Sequence, residues 1–153
     1  MTTENIILIV DDDPDNLKIL QGVLKKTGHK ILMANSGERA LYQIEHQSPD
    51  LILLDVLMPG IDGFETCRQI KLDPATARIP IIFLTALSDV DNKVKGFEAG
   101  GVDYITKPFY QAEVLARVNT HLTLHRLQQQ LQAALAQVNQ LSGRSQSAET
   151  PQS

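Results

Sequence analysis

The chain has 153 residues, about the span of one domain; it is 42% hydrophobic, 21% charged and 5% aromatic, with no Trp. That composition excludes the disordered, collagenous and disulfide-rich classes, and the single cysteine, Cys67, excludes an internal disulfide and fits a reducing compartment. A net charge of -4 argues against a general nucleic-acid or anionic-membrane surface, and no apolar run nears the ~18 residues of a membrane span. The opening MTTENIILIV lacks the basic start of a secretory leader. A cytoplasmic globular protein is expected, with no direct nucleic-acid or membrane partner.

In chain order, five short apolar runs read as strands: Ile6–Val10, Lys30–Ala34, Leu51–Leu54, Ile81–Leu84 and Val102–Ile105. They are too short for typical helices, and most show no polar alternation, the pattern of a parallel strand covered on both faces. Between them lie helical stretches. Leu17, Leu20 and Leu24 share one face of the first, with Pro14 at its first position after an Asp13 cap and Gly28 at its stop. Ala40, Leu41 and Ile44 mark the second, after Ser36. Asp62 followed by Glu65 has capping-box spacing for a third that carries Phe64 and Cys67 inward. Val90, Val94 and Phe97 mark a fourth, closed by Gly100. Repeated βα units predict a doubly wound α/β fold with a parallel sheet.

From Tyr110 a helical pattern without proline or glycine runs to Gly143. Its first part, Val114, Leu115, Val118 and Leu122, is expected to pack on the sheet. Beyond it, Leu124, Leu131 and Val138 fall at one heptad position and Leu127, Ala134 and Leu141 at the other. The expected organisation is a globular domain over 1–123, a coiled-coil helical extension over 124–142 that pairs two copies, and a polar, disordered tail or linker over 143–153.

Ligands of open α/β sheets bind outside the carboxyl ends of the strands, where the strand order reverses. Asp11, Asp12 and Asp13 follow the first strand, Asp55 the third, Thr85 the fourth, and Lys107 with Pro108 the fifth. With a flavodoxin-like strand order 2-1-3-4-5, the first and third strands are neighbours. Their carboxylates then crowd one pocket, with a hydroxyl and an ammonium across from them. Crowded carboxylates need a counter-charge, and oxygen-only ligands suit Mg²⁺. A carboxylate nucleophile beside a metal, a Lys and a Thr is the makeup of a phosphoryl-transfer site. Asp13 is left to helix capping. His121 and His125 have metal-ligand spacing but lack a third ligand, and no dinucleotide or P-loop glycine motif occurs.

The strings ILIVDDDPDN, LILLDVLMPGIDG, IPIIFLTA and VDYITKPF, in that order and spacing, resemble the receiver domain of two-component response regulators over about residues 5–123. The resemblance implies that Asp55 is the phosphoacceptor, taking a phosphoryl group from a sensor histidine kinase or phosphotransfer protein. It implies Mg²⁺ on Asp12 directly, on Asp11 mostly through water, on Asp55, and on the backbone carbonyl of Leu57. It implies further that Lys107 contacts the acyl phosphate and that Lys107–Pro108 is cis. Thr85 and Tyr104 would form the switch, the hydroxyl moving to the phosphate while the ring turns inward. The implied protein is a signalling switch, not an enzyme with external turnover. An aspartyl-phosphate phosphatase generally needs a second Asp two residues after its nucleophile, and Leu57 stands there. Leu57 and Leu87 occupy two positions beside the phosphoryl site that vary among receivers; neither can hydrogen-bond an attacking water, which points to a long-lived phosphoaspartate. The segment from Lys93 through Leu131 also resembles receivers joined by a long final helix to an output module. A fragment and a stand-alone regulator both fit that pattern.

Overall fold

The computed structural model describes residues 4–86 and 90–149, the side chains of residues 90 and 143–149 excepted. Strands and helices alternate: β1 (Ile6–Val10), α1 (Pro14–Lys25), β2 (Lys30–Ala34), α2 (Gly37–His46), β3 (Leu51–Asp55), α3 (Gly63–Leu72), β4 (Ile81–Ala86), α4 (Val90–Ala99), β5 (Asp103–Lys107) and α5 (Gln111–Glu149). The five strands form one parallel sheet in the order 2-1-3-4-5, the flavodoxin-like arrangement expected.

Strand side chains alternate between two cores, as a parallel sheet covered on both faces requires. Ile7, Ile9, Leu51, Leu53, Ile82, Leu84 and Ile105 meet Leu20 and Leu24 of α1 and Val114, Val118 and Leu122 of α5. The intervening residues, among them Leu8, Val10, Ile52, Leu54, Ile81 and Phe83, meet Ala40 and Ile44 of α2, Phe64, Cys67 and Ile70 of α3, and Ala99 of α4. β1, β3 and β4 are central and almost wholly buried. β2 is an edge strand, and Met33 lies exposed on it.

The helices start where their caps direct. Asp13 accepts from the Asp15 amide at 2.9 Å, Ser36 from Arg39 at 3.1 Å and Asp62 from Glu65 at 2.8 Å. Only half of the predicted capping box forms, because the Glu65 carboxylate turns to Arg68 and Gln69 instead of back to Asp62. On α4, Val94 and Phe97 are half exposed, while Gly96 and Ala99 face inward. The small residues let this helix lie close to the sheet: a Cβ on Gly96 would stand 2.7 Å from Tyr104 Cζ. Along α5, the first half packs on the sheet, and Leu124, Leu127, Leu131, Leu135, Val138 and Leu141 form an exposed apolar row. Of the disordered tail expected over 143–153, residues 143–149 continue the α5 backbone instead, and residues 150–153 and Leu87 lie outside the described residues.

Three strands run past their apolar stretches. β3 includes Asp55, which pairs with Leu84; β4 extends to Ala86, and β5 to Lys107, through the pairs Thr85 with Thr106 and Ala86 with Lys107. Hydrophobicity ends where the pocket begins, but the ladder continues. Asp55, Thr85 and Lys107 therefore stand on sheet backbone, which is more rigid than loop, while Asp11 and Asp12 follow directly on the end of β1.

Candidate functional site

At the carboxyl ends of β1 and β3, adjacent in the sheet and reached by crossovers that go opposite ways, a pocket of about 340 Å³ opens. Asp11, Asp12, Asp55, Leu57, Thr85 and Lys107 all line it. Asp11, Asp12 and Asp55 each turn one carboxylate oxygen inward, and these oxygens lie within 4.8 Å of one another. Asp11 and Asp55 are buried and Asp12 is exposed, so the cluster has a closed floor and an open rim. Three carboxylate oxygens with access to water match the donor set of Mg²⁺, which keeps several waters and prefers oxygen ligands.

Lys107 crosses from β5 to close the far side. Its Nζ is 3.1 Å from Asp55 Oδ1 and 3.6 Å from Asp11 Oδ2. Burial alone would pull the ammonium down, but Asp55 and then Asp11 outweigh it and hold Lys107 above its ordinary value. Burial, reinforced by the Asp11 charge, pushes Asp55 up to about 7 despite the Lys107 ammonium. One cation is therefore too little counter-charge for this carboxylate group, and the pocket favours a second positive charge.

Asp11 is held from two sides. The Asp13 amide donates to Oδ1 at 2.9 Å, and the Asn16 side-chain amide donates to Oδ2 at 3.1 Å. Asn16 lines the pocket and escaped the sequence reading. Sitting in the first turn of α1 among better capping candidates, it carries no pattern that marks it as a partner of Asp11. Asn92 of α4 lines the pocket as well, and its backbone carbonyl accepts from the Tyr104 hydroxyl at 2.7 Å.

Thr85 is 3% exposed at the end of β4. Tyr104 is buried beneath α4, its hydroxyl also bonded to the Lys93 carbonyl and its ring stacked on Phe83 and edge-on to Phe97. Its ring thus lies inward, and burial pushes the phenol up to about 12. Lys107–Pro108 is cis. Leu57 exposes 74% of its surface at the rim of the pocket. The two helix histidines do not converge. His121 Nε2 lies 2.9 Å from Asp103 Oδ2, and His125 is buried with its Nδ1 unpartnered among the described residues. The three aspartates are the one metal-competent group among the described residues.

The chain is similar to known proteins over most of its length. The family model described as "Response regulator receiver domain" matches residues 7–119. The transcriptional regulatory protein ResD of Bacillus subtilis is 46% identical over 121 residues, covering 79% of this chain and 49% of ResD. The response regulator PleD of Caulobacter vibrioides is 40% identical over 114 residues, covering 74% of this chain and 25% of PleD. The chain spans about half or less of the length of the curated relatives it matches. The crystal structure of the receiver domain of a signal transduction histidine kinase from Syntrophus aciditrophicus superposes with a TM-score of 0.72 at 38% identity, covering 78% of this chain and 90% of that one. No helix among the described residues is long and apolar enough to cross a membrane. The match across most of the chain and the flavodoxin-like sheet place this protein in the family of response regulator receiver domains.

Proposed function

We propose that the chain is a phosphorylation switch in which Asp55 takes a phosphoryl group from a phosphohistidine on a sensor kinase or phosphotransfer protein. The observation that carries this reading is the buried Asp55 carboxylate held 3.1 Å from Lys107 in the pocket of the three-aspartate cluster. Asp11, Asp12, Asp55 and the Leu57 carbonyl would hold Mg²⁺. The bound ion would supply positive charge to the phosphoryl oxygens and so lower the repulsion between two anions.

The chain's own groups do the rest. An oxygen of ionised Asp55 attacks phosphorus as the P–N bond of the donor breaks; the imidazole nitrogen leaves with the bonding pair and takes a proton from water. Lys107, already paired with Asp55, stays beside the transferred group and offsets charge on its oxygens. The Thr85 hydroxyl, at the end of the neighbouring strand, donates to a phosphoryl oxygen. Drawing Thr85 towards the phosphate shifts the β4 end, and with it α4 and Tyr104, so the phosphate selects between two arrangements of the α4–β5–α5 face. Two copies pair through the apolar row of α5, and the paired helices carry the change to a downstream output.

The test is intact mass after incubation with acetyl phosphate and Mg²⁺. Wild type gains one phosphoryl group, and the gain is absent from Asp55→Asn and from samples with chelator. A wild-type protein that gains no mass under any condition overturns the proposal and leaves a docking module.

A further inference from the structure

The loop that joins β3 to α3, residues 56–62, brings Leu57 to the pocket. Its ends are fixed within the sheet and against α3. The Val56 amide donates to the Leu84 carbonyl at 3.3 Å, and the Gly63 amide donates to the Val56 carbonyl at 2.8 Å. Gly63 packs so closely there that a Cβ would stand 2.2 Å from the Asp55 carbonyl. Between these anchors the chain reverses at Gly60, whose φ of 79° suits glycine. Among the described residues a single hydrogen bond reaches the backbone of residues 57–61: the Ile61 amide donates to Glu38 Oε1 at 3.0 Å.

Glu38 is the second residue of α2, on a different element from every group assigned to the pocket. Its carboxylate lies over the turn, since a Cβ on Gly60 would stand 2.4 Å from Glu38 Oε1. Its neighbour Gly37 packs on the same segment, where a Cβ would stand 2.7 Å from Ile61 Cγ1. The start of α2 is thus shaped to receive this loop. The Ile61 amide also holds the Glu38 carboxyl below its ordinary range, so the bond is made by the charged form.

We infer that Glu38 is a positioning residue for the cation site: by holding Ile61 it fixes the segment that keeps the Leu57 carbonyl within reach of an ion on Asp11, Asp12 and Asp55. The inference rests on reading those three aspartates as an Mg²⁺ site. A merely structural role is also available to Glu38, because an acidic residue in the first turn favours the helix N-terminus. That role predicts lower stability with Mg²⁺ affinity unchanged, so affinity separates the two.

Mg²⁺ alone is titrated calorimetrically into the full chain as wild type, Glu38→Ala, Glu38→Gln and Gly60→Ala, well below the unfolding temperature of each. Glu38→Ala is expected to bind about tenfold more weakly, the usual effect of losing a group that orients a metal ligand. Glu38→Gln keeps an oxygen that can accept from Ile61 and is expected to bind as wild type does. Gly60→Ala, which displaces the same carboxylate from the loop side, is expected to weaken binding as Glu38→Ala does. Equal affinity in wild type and Glu38→Ala overturns the inference, and so does Glu38→Gln binding as weakly as Glu38→Ala, since charge and not the hydrogen bond would then matter. A Gly60→Ala protein that binds as wild type does counts against it too. A wild type that takes no Mg²⁺ overturns the cation site itself, and the inference with it.

Discussion

Asp55 and His125 are buried ionisable groups that pull stability in opposite directions with pH. For Asp55, burial and the Asp11 charge raise the folded-state value to about 7, so between its ordinary value near 4 and about 7 the folded protein binds more protons than the unfolded chain. Without metal, this group's contribution is fully present at low pH and lost as pH rises through about 7. Asp55→Asn is therefore expected to raise the melting temperature in chelator by a few degrees, with a larger gain at pH 8 than at pH 5. Thermal unfolding at the two pH values checks this; an equal gain at both would show that Asp55 does not titrate in that window. For His125, burial is the main cause and lowers the value, so the unfolded chain binds the proton more readily. Stability on this account is present above about pH 6.5 and falls as pH drops below it. His125→Leu should flatten that decline in melts from pH 7.5 to 5. At the pocket rim, Leu57→Asn places an amide where water can approach. Loss of phosphate from the modified domain is expected to quicken on the order of tenfold, about 1.4 kcal/mol off the barrier. An unchanged rate would show that Leu57 does not limit hydrolysis.

The helices carry the next set of consequences. α5 bears two rows of buried or apolar side chains on different sides: Val114, Val118, Leu122 and His125 turn to the domain, while Leu124, Leu127, Leu131, Val138 and Leu141 turn to solvent. With each residue advancing about 100° around the axis, the solvent row lies roughly opposite the domain row. A pair of helices joined along it would therefore carry their domains on the outside. Gln132 still belongs to the domain side, being partly buried and bonded by Arg78 from the α3–β4 connection. Leu127→Lys with Leu131→Lys is expected to convert a dimer to a monomer by light scattering, with and without an acyl-phosphate analogue, while the melting temperature of the domain barely moves. A wild-type monomer in both conditions would remove the pairing. On α4, the spacing of Val94 and Phe97 marks the helix but not its buried face. The inward face is made by Gly96 and Ala99, which carry little hydrophobic signal.

At the scale of the whole molecule, the sheet order and both cores were legible because five unbroken apolar runs alternate with amphipathic stretches and nothing in the chain competes with that pattern. The pocket was legible in part for a related reason: Asp55, Thr85 and Lys107 sit where apolar runs stop, so a change in residue type marks the strand end. Their place inside the ladder was not legible, because hydrogen-bond pairing leaves no trace in hydropathy. Asn16 and Glu38 were hidden differently: each reads as an ordinary helix-start residue, and only the folded chain shows that one faces Asp11 and the other Ile61. The strands all point one way, and α5 starts four residues after Lys107 and packs back onto β5 and β3. At about 1.5 Å per residue its 39 residues reach close to 60 Å. A rod that long, packed into the core at Val114, Val118 and Leu122 and exposed beyond Gln132 among the described side chains, is a lever whose short arm lies on the sheet. A tilt of about 5° at the clamp, too small to disturb the packing there, swings the far end by roughly 2 Å over the length beyond Gln132. If the proposed switch operates, lengthening or shortening α5 by whole turns would change the size of the stroke without touching the phosphoryl chemistry proposed to start it.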